Sequence, residues 1–135
     1  MRTILHRNNN DENVLTTVAA GYDIDKVKDA LKGVIIDLDS IDQDYLGAYD
    51  IVDNNISIDI EKAKKIKVDL IREQRDQVFI TFDKTYDIAL RDEIDMTELK
   101  QQRQRLKDAP QTAAYLLTSH TILEQINSLT LQDLL

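Results

Sequence analysis

The spacing of apolar positions along this chain changes once, near Ile60, and separates two kinds of structure. Before that point, β-branched runs alternate with clusters of Asn and Asp. Thr3-Ile4-Leu5-His6 and Val14-Leu15-Thr16-Thr17-Val18 flank Asn8-Asn9-Asn10-Asp11-Glu12-Asn13. Asn and Asp bond their own backbone and tolerate left-handed turns, so this arrangement predicts a hairpin. Asp23 or Asp25 can cap a short helix over 24–31, and Gly33 stands where a C-cap glycine would. Val34-Ile35-Ile36 is then a candidate buried strand. Period-two alternation over 48–52 and 56–60, around Asp53-Asn54-Asn55, predicts a second hairpin.

After Ile60 the period becomes helical. Asp59 can act as N-cap, Glu61 sits in the first turn where a negative charge suits the helix dipole, and residues 61–109 contain no Gly or Pro. Ala63, Ile66, Leu70, Ile71, Val78, Phe82, Tyr86 and Ala89 recur mostly at spacings of three, four or seven, which predicts one helix reaching Asp92. The stripe is interrupted at 72–77, six polar residues in a row. Asp95 can cap a return helix, with Glu98 at capping-box spacing and Met96, Leu99, Arg103 and Leu106 on its inward face. Pro110 disfavours helix in the residue before it, so this second helix is expected to end at 108–110. Thr118 or Ser119 can cap a last helix over 121–127. The expected architecture is α+β: a small N-terminal antiparallel sheet with a short helix over 1–60, a long antiparallel helical hairpin over 61–110, and a short C-terminal helix and tail over 111–135, forming one domain overall.

Composition narrows the function classes. With 42% hydrophobic and 31% charged residues in a chain of 135, the sequence suits a soluble fold, and no apolar run approaches membrane-spanning length. The N-terminus has no apolar stretch leading to a small-residue cleavage site, so cytoplasmic synthesis is expected. There is no cysteine, which excludes disulfides, thiolate catalysis and Cys-based metal sites. Residues 1–59 hold 5 Lys/Arg against 12 Asp/Glu, whereas residues 60–110 hold 12 against 11. A phosphate backbone would be repelled by the first part, so neither nucleic acid nor membrane is expected as a partner.

Candidate chemistry is sparse. His6 and His120 have no second His or Glu at ligand spacing and read as structural. Asp37, Asp39, Asp42 and Asp44 alternate as in a calcium loop, but the EF-hand glycine is missing and Ala48 occupies the position of its bidentate Glu. The cluster reads as a solvated acidic turn, with a cation site as the alternative. Neither a nucleophile–base pair nor a phosphate-binding loop is present, so the chain reads as non-enzymatic and free of cofactors. The hairpin is long and polar, and helices owe most of their stability to tertiary packing. A partner surface is expected, with Phe79, Phe82 and Tyr86 as candidate partner-binding residues because aromatics are favoured at interface centres, and packing of these rings on the protein's own sheet is the alternative.

One set of residues runs through the chain in order: His6-Arg7-Asn8, Ile58-Asp59, Lys62-Ala63, Arg72, Arg75, Phe82-Asp83, Tyr86, Ala89-Leu90, Asp95 and Leu99. It closes on Gln102-Arg103-Gln104-Arg105-Leu106-Lys107-Asp108-Ala109-Pro110. The pattern resembles small proteins of tailed bacteriophages found with tail and tail-fibre genes, including tail-fibre-assembly-like chains, over about three quarters of the length. The resemblance implies a structural component of a virion, associated with its tail, collar or tail fibre. Such a protein docks on other phage structural proteins as a homo-oligomer or hetero-complex. The alternative it implies is an assembly chaperone that leaves before the particle matures. It carries over no catalytic residue. These proteins often end in a Trp-containing segment, whereas this chain has no Trp and ends Thr130-Leu131-Gln132-Asp133-Leu134-Leu135.

Overall fold

The computed structural model describes residues 2–135. The chain divides into two compact units, one extending to Ala63 and the other spanning Lys64–Leu135. The α+β class expected from the sequence is the one observed.

In the first unit, strands β1 (Arg2–Arg7) and β2 (Asn13–Val18) pair antiparallel in the register Ile4↔Thr16, Leu5↔Leu15, His6↔Val14. Asn8 closes the turn between them, its Oδ1 accepting from the backbone N–H groups of Asn10 and Glu12, while Asp11 takes the left-handed conformation at φ 60°. Helix α1 (Ile24–Leu31) is capped by Asp23, whose carboxylate accepts from Asp25 N and Lys26 N. Strand β3 (Val34–Ile36) then adds antiparallel to the other side of β1, giving the order β2-β1-β3. Because β1 is the central strand, Thr3, Ile4, Leu5 and His6 are all buried. Ile4, Val18 and Ile24 form an apolar cluster with Val27 and Leu31 of α1 packed against it. His6 is satisfied by Thr16 Oγ1 at 2.8 Å from its Nε2.

The helix exit differs from the sequence expectation. The left-handed residue is Lys32 (φ 52°), and the bonds Lys32 N to Asp29 O and Gly33 N to Lys28 O complete a Schellman motif with Lys32 at C′. Gly33 follows it and serves packing: a Cβ there would lie 2.5 Å from Ile4 Cγ2 and 2.7 Å from the Leu5 carbonyl oxygen. Its missing side chain lets the chain pass close against β1.

Two 3-10 segments (Leu38–Ser40 and Gln43–Ala48) lead to strands β4 (Tyr49–Val52) and β5 (Asn55–Ile58), a separate two-stranded antiparallel sheet. Asp53 and Asn54 both take positive φ (50° and 66°), as a type I′ turn requires. The N-terminal β region is therefore two small sheets.

Helix α2 (Ile60–Arg91) starts as expected, with Asp59 Oδ1 accepting from Glu61 N and Lys62 N. Its 32 residues make it about 48 Å long at 1.5 Å per residue. In the second unit it stops at another Schellman motif, with Glu93 at φ 55° and the bonds Glu93 N to Leu90 O and Ile94 N to Ala89 O. Asp95 then accepts from both the backbone N–H and the hydroxyl of Thr97, opening α3 (Thr97–Leu117).

The expected helix end at 108–110 is corrected, because α3 continues through Pro110 for seven more residues to Leu117. Proline inside a helix costs about 3 kcal/mol through the lost ladder bond and a steric clash. Here Leu106, Ala109, Pro110, Ala113 and Leu117 form one buried stripe on both sides of it, and that burial holds the helix together. The expected caps at Thr118 and Ser119 are also corrected. Their hydroxyls donate back to Tyr115 O and Leu116 O at the end of α3. Helix α4 (Leu123–Ser128) begins without a side-chain cap, and a 3-10 turn (Leu131–Leu134) packs against α3. Thr130 and Asp133 form a reciprocal capping box there, and Lys67 Nζ donates to Asn127 O at 3.2 Å. Ile126, Leu129, Leu131 and Leu134 are buried, so the tail folds back as part of this unit's core.

Candidate docking surface on the helical hairpin

At 100° per residue, Phe79, Asp83 and Tyr86 fall on one flank of the seam that α2 presents to α3, Val78, Thr81 and Thr85 on the other, and Phe82 between them. The two flanks have different chemistry.

On the first flank, Arg103 of α3 reaches across the seam. Its guanidinium carbon lies 5.5 Å from the centroid of Phe79 and 5.8 Å from that of Tyr86, and its Nε donates to Asp83 at 3.3 Å. Arg75 sits 5.9 Å from the Phe79 ring and donates to the Lys107 carbonyl at 3.3 Å. Both rings thus serve as faces for cations within the hairpin itself. The polar interruption at 72–77 contributes here, since Arg75 belongs to it and its side chain is mostly covered.

On the second flank there is an open groove. Two adjoining cavities of about 280 and 460 Å³ share Val78, Phe82 and Gln102, with Leu106, Arg105 and Leu135 at one end and Thr85 and Leu99 at the other. Phe82 is half-buried, its ring centroid 6.4 Å from that of Tyr86, and Val78 is 40% exposed. Of the three aromatics singled out by sequence, Phe82 lines the groove while Phe79 and Tyr86 are engaged by Arg103. The sequence placed Arg103 on the inward face of α3, but its role depends on a cross-helix pairing that no local pattern contains. Gln102 and Arg105 carry no local signal of their place in the groove for the same reason.

The acidic cluster has a local task. Asp37 caps one 3-10 segment by accepting from Asp39 N, and Asp42 caps the next by accepting from Asp44 N. Asp42 N donates to the Tyr49 hydroxyl at 2.8 Å, and Asn13 Nδ2 donates to Leu46 O, tying the corner to β2. Burial, together with the nearby Asp42 and Asp44 carboxylates, pushes the buried Tyr45 phenol up to about 12. Among the described residues no three His, Asp or Glu side chains are grouped to hold a metal ion. His120 keeps a buried Nδ1 with no hydrogen-bond partner among the described residues. Among the described residues no helix is long and apolar enough to cross a membrane. Compared with family models, with curated proteins and with solved structures, the chain matches none.

Proposed function

We propose that the protein is a non-enzymatic structural component of a tailed-bacteriophage particle, associated with its tail, collar or tail fibre and acting by protein–protein docking through the α2–α3 hairpin. The observation that carries the docking part is the groove beside Phe82. It exposes apolar side chains along two long helices in a chain that is 31% charged. An apolar centre with a polar rim is the arrangement that protein interfaces have. Support for the phage setting is the ordered residue pattern that closes on 102–110. Mass spectrometry of purified particles tests it: a structural component is present at stoichiometric copy number, whereas an assembly chaperone is found only in infected-cell lysate. Phe82→Ala, shown by circular dichroism to remain folded, should lose incorporation into particles. Normal incorporation of that variant would remove the groove from the mechanism.

A further inference from the structure

The groove has a self-complementary wall. Glu98, Gln102 and Arg105 stand on one face of α3 at spacings of four and three; Gln102 and Arg105 line the groove and Glu98 lies one turn before Gln102, so the order along that face is acid, amide, base. Gln102 is common to both cavities and marks the groove's middle. Arg105 has no hydrogen bond or ion pair among the described residues, and Glu98 accepts only from Gln102 Nε2, at 3.2 Å. A second copy laid antiparallel about a twofold axis through Gln102 would place Glu98 of each chain opposite Arg105 of the other.

The longer-range charge follows the same sense. Around the hairpin turn Asp87, Asp92, Glu93, Asp95 and Glu98 face a single Arg91, whereas α3 beyond Leu99 carries Lys100, Arg103, Arg105 and Lys107 against Asp108. With the axis at Gln102 each acidic turn lies closest to Arg105 and Lys107 of the other chain, with Asp108 beyond them. The apolar centre suits an axis as well, since Val78, Phe82 and Leu99 are flanked by the uncharged Gln77, Thr81, Thr85 and Gln102. With the axis at Gln102 the two α3 helices overlap from Thr97 to about Lys107, roughly 16 Å at ~1.5 Å per residue, and two helices side by side are about 20 Å wide. A footprint of roughly 300 Å² per partner, before the turns are added, is that of a weak, reversible pair.

We infer that the groove's occupant is a second copy of this chain, packed antiparallel with Gln102 at the twofold axis and Glu98 paired to Arg105 across it. The inference rests on the docking reading and names its partner. The test uses the full chain in sedimentation-velocity experiments over a micromolar concentration series. The wild type should dimerise. Glu98→Arg and Arg105→Glu should each raise the dimer dissociation constant at least about tenfold, because each sets like charges face to face twice. Mixing the two variants should restore a dimer, since both cross pairs are then opposite in sign. The chain has no cysteine, so Gln102→Cys should form an intermolecular disulfide under mild oxidation while Ser57→Cys should not. A wild type that stays monomeric at 100 µM or so, or a dimer indifferent to both swaps and to mixing, overturns the inference. A monomer still incorporated into particles through Phe82 would leave the docking function standing with a different protein in the groove. A dimer absent from particles would do the reverse.

Discussion

Removing the positive charge of Arg103 while keeping its stem, as in Arg103→Met, asks whether Phe79 and Tyr86 are held within the hairpin. Two ring contacts at 5.5 and 5.8 Å, each worth about 0.5–1 kcal/mol at an exposed site, would be lost. The Asp83 pair at 3.3 Å adds about 0.2–1 kcal/mol, since both side chains are nearly half exposed. The expected destabilisation is therefore about 1–3 kcal/mol, with Arg103→Lys in between because an ammonium cannot lie flat on two rings. Urea unfolding followed by far-UV circular dichroism measures it, since most helix lies in α2 and α3. A double-mutant cycle between Arg103→Met and Phe79→Leu should give a coupling of about 0.5–1 kcal/mol. Arg75, also over Phe79, will keep that value at the low end. If Arg103→Met lies within about 0.3 kcal/mol of wild type and the cycle shows no coupling, the rings are not anchored by this cation. Phe79 and Tyr86 would then be as free to meet a partner as Phe82.

Other expectations follow from single positions. Gly33→Ala should destabilise the protein by about 1–3 kcal/mol, because the new methyl meets the backbone oxygen of Leu5, which cannot swing aside; a thermal melt unchanged from wild type would refute the close-packing role. Glu93→Gly should stabilise the protein by about 1 kcal/mol by relieving a left-handed residue at the α2 terminus, read as a higher denaturation midpoint. Folding holds the Tyr45 phenol above its ordinary 10.0, at about 12, so its contribution is complete below pH 10 or so and is lost as pH rises through the folded value. Stability should fall between these pH values, and Tyr45→Phe should flatten that part of the profile. Changing Asp37, Asp39, Asp42 and Asp44 together to Asn should leave folding nearly intact, because Asn caps as well as Asp, and under the proposed function it should leave particle production intact too. Loss of infectious particles in the folded variant would relocate the functional site to that corner.

Features carried by neighbouring residues were legible in the sequence. Asp59 before a helical period, Asp53-Asn54 between alternating runs, and the Asn-rich turn after Arg7 each specify their structure within a few positions, and each is found as expected. Pro110 shows where such reading stops. The local rule ends the helix, but a stripe of buried contacts on both sides of the proline outweighs it. Gly33 stands out in the sequence as a helix terminator, but the need for glycine comes from β1, about thirty residues earlier in the chain, and the left-handed position falls on Lys32. The groove was only partly legible. Phe82 could be picked as an aromatic on a helical stripe, but its separation from Phe79 depends on which side of α2 receives Arg103.

The proline in α3 has a consequence for how that helix opens. Lacking an N–H, Pro110 leaves the hydrogen-bond ladder without its link to the Leu106 carbonyl, so α3 is weakest there and leans on packing to either side. Helical cooperativity passes weakly across such a point. The stretch after it relies on the burial of Ala113 and Leu117. Amide exchange along α3 should therefore show two levels of protection with a step at residue 110, the distal level falling when the C-terminal segment is loosened and the proximal one holding. What looks like one rod of 21 residues would behave as two opening units, the second of them timed by the tail.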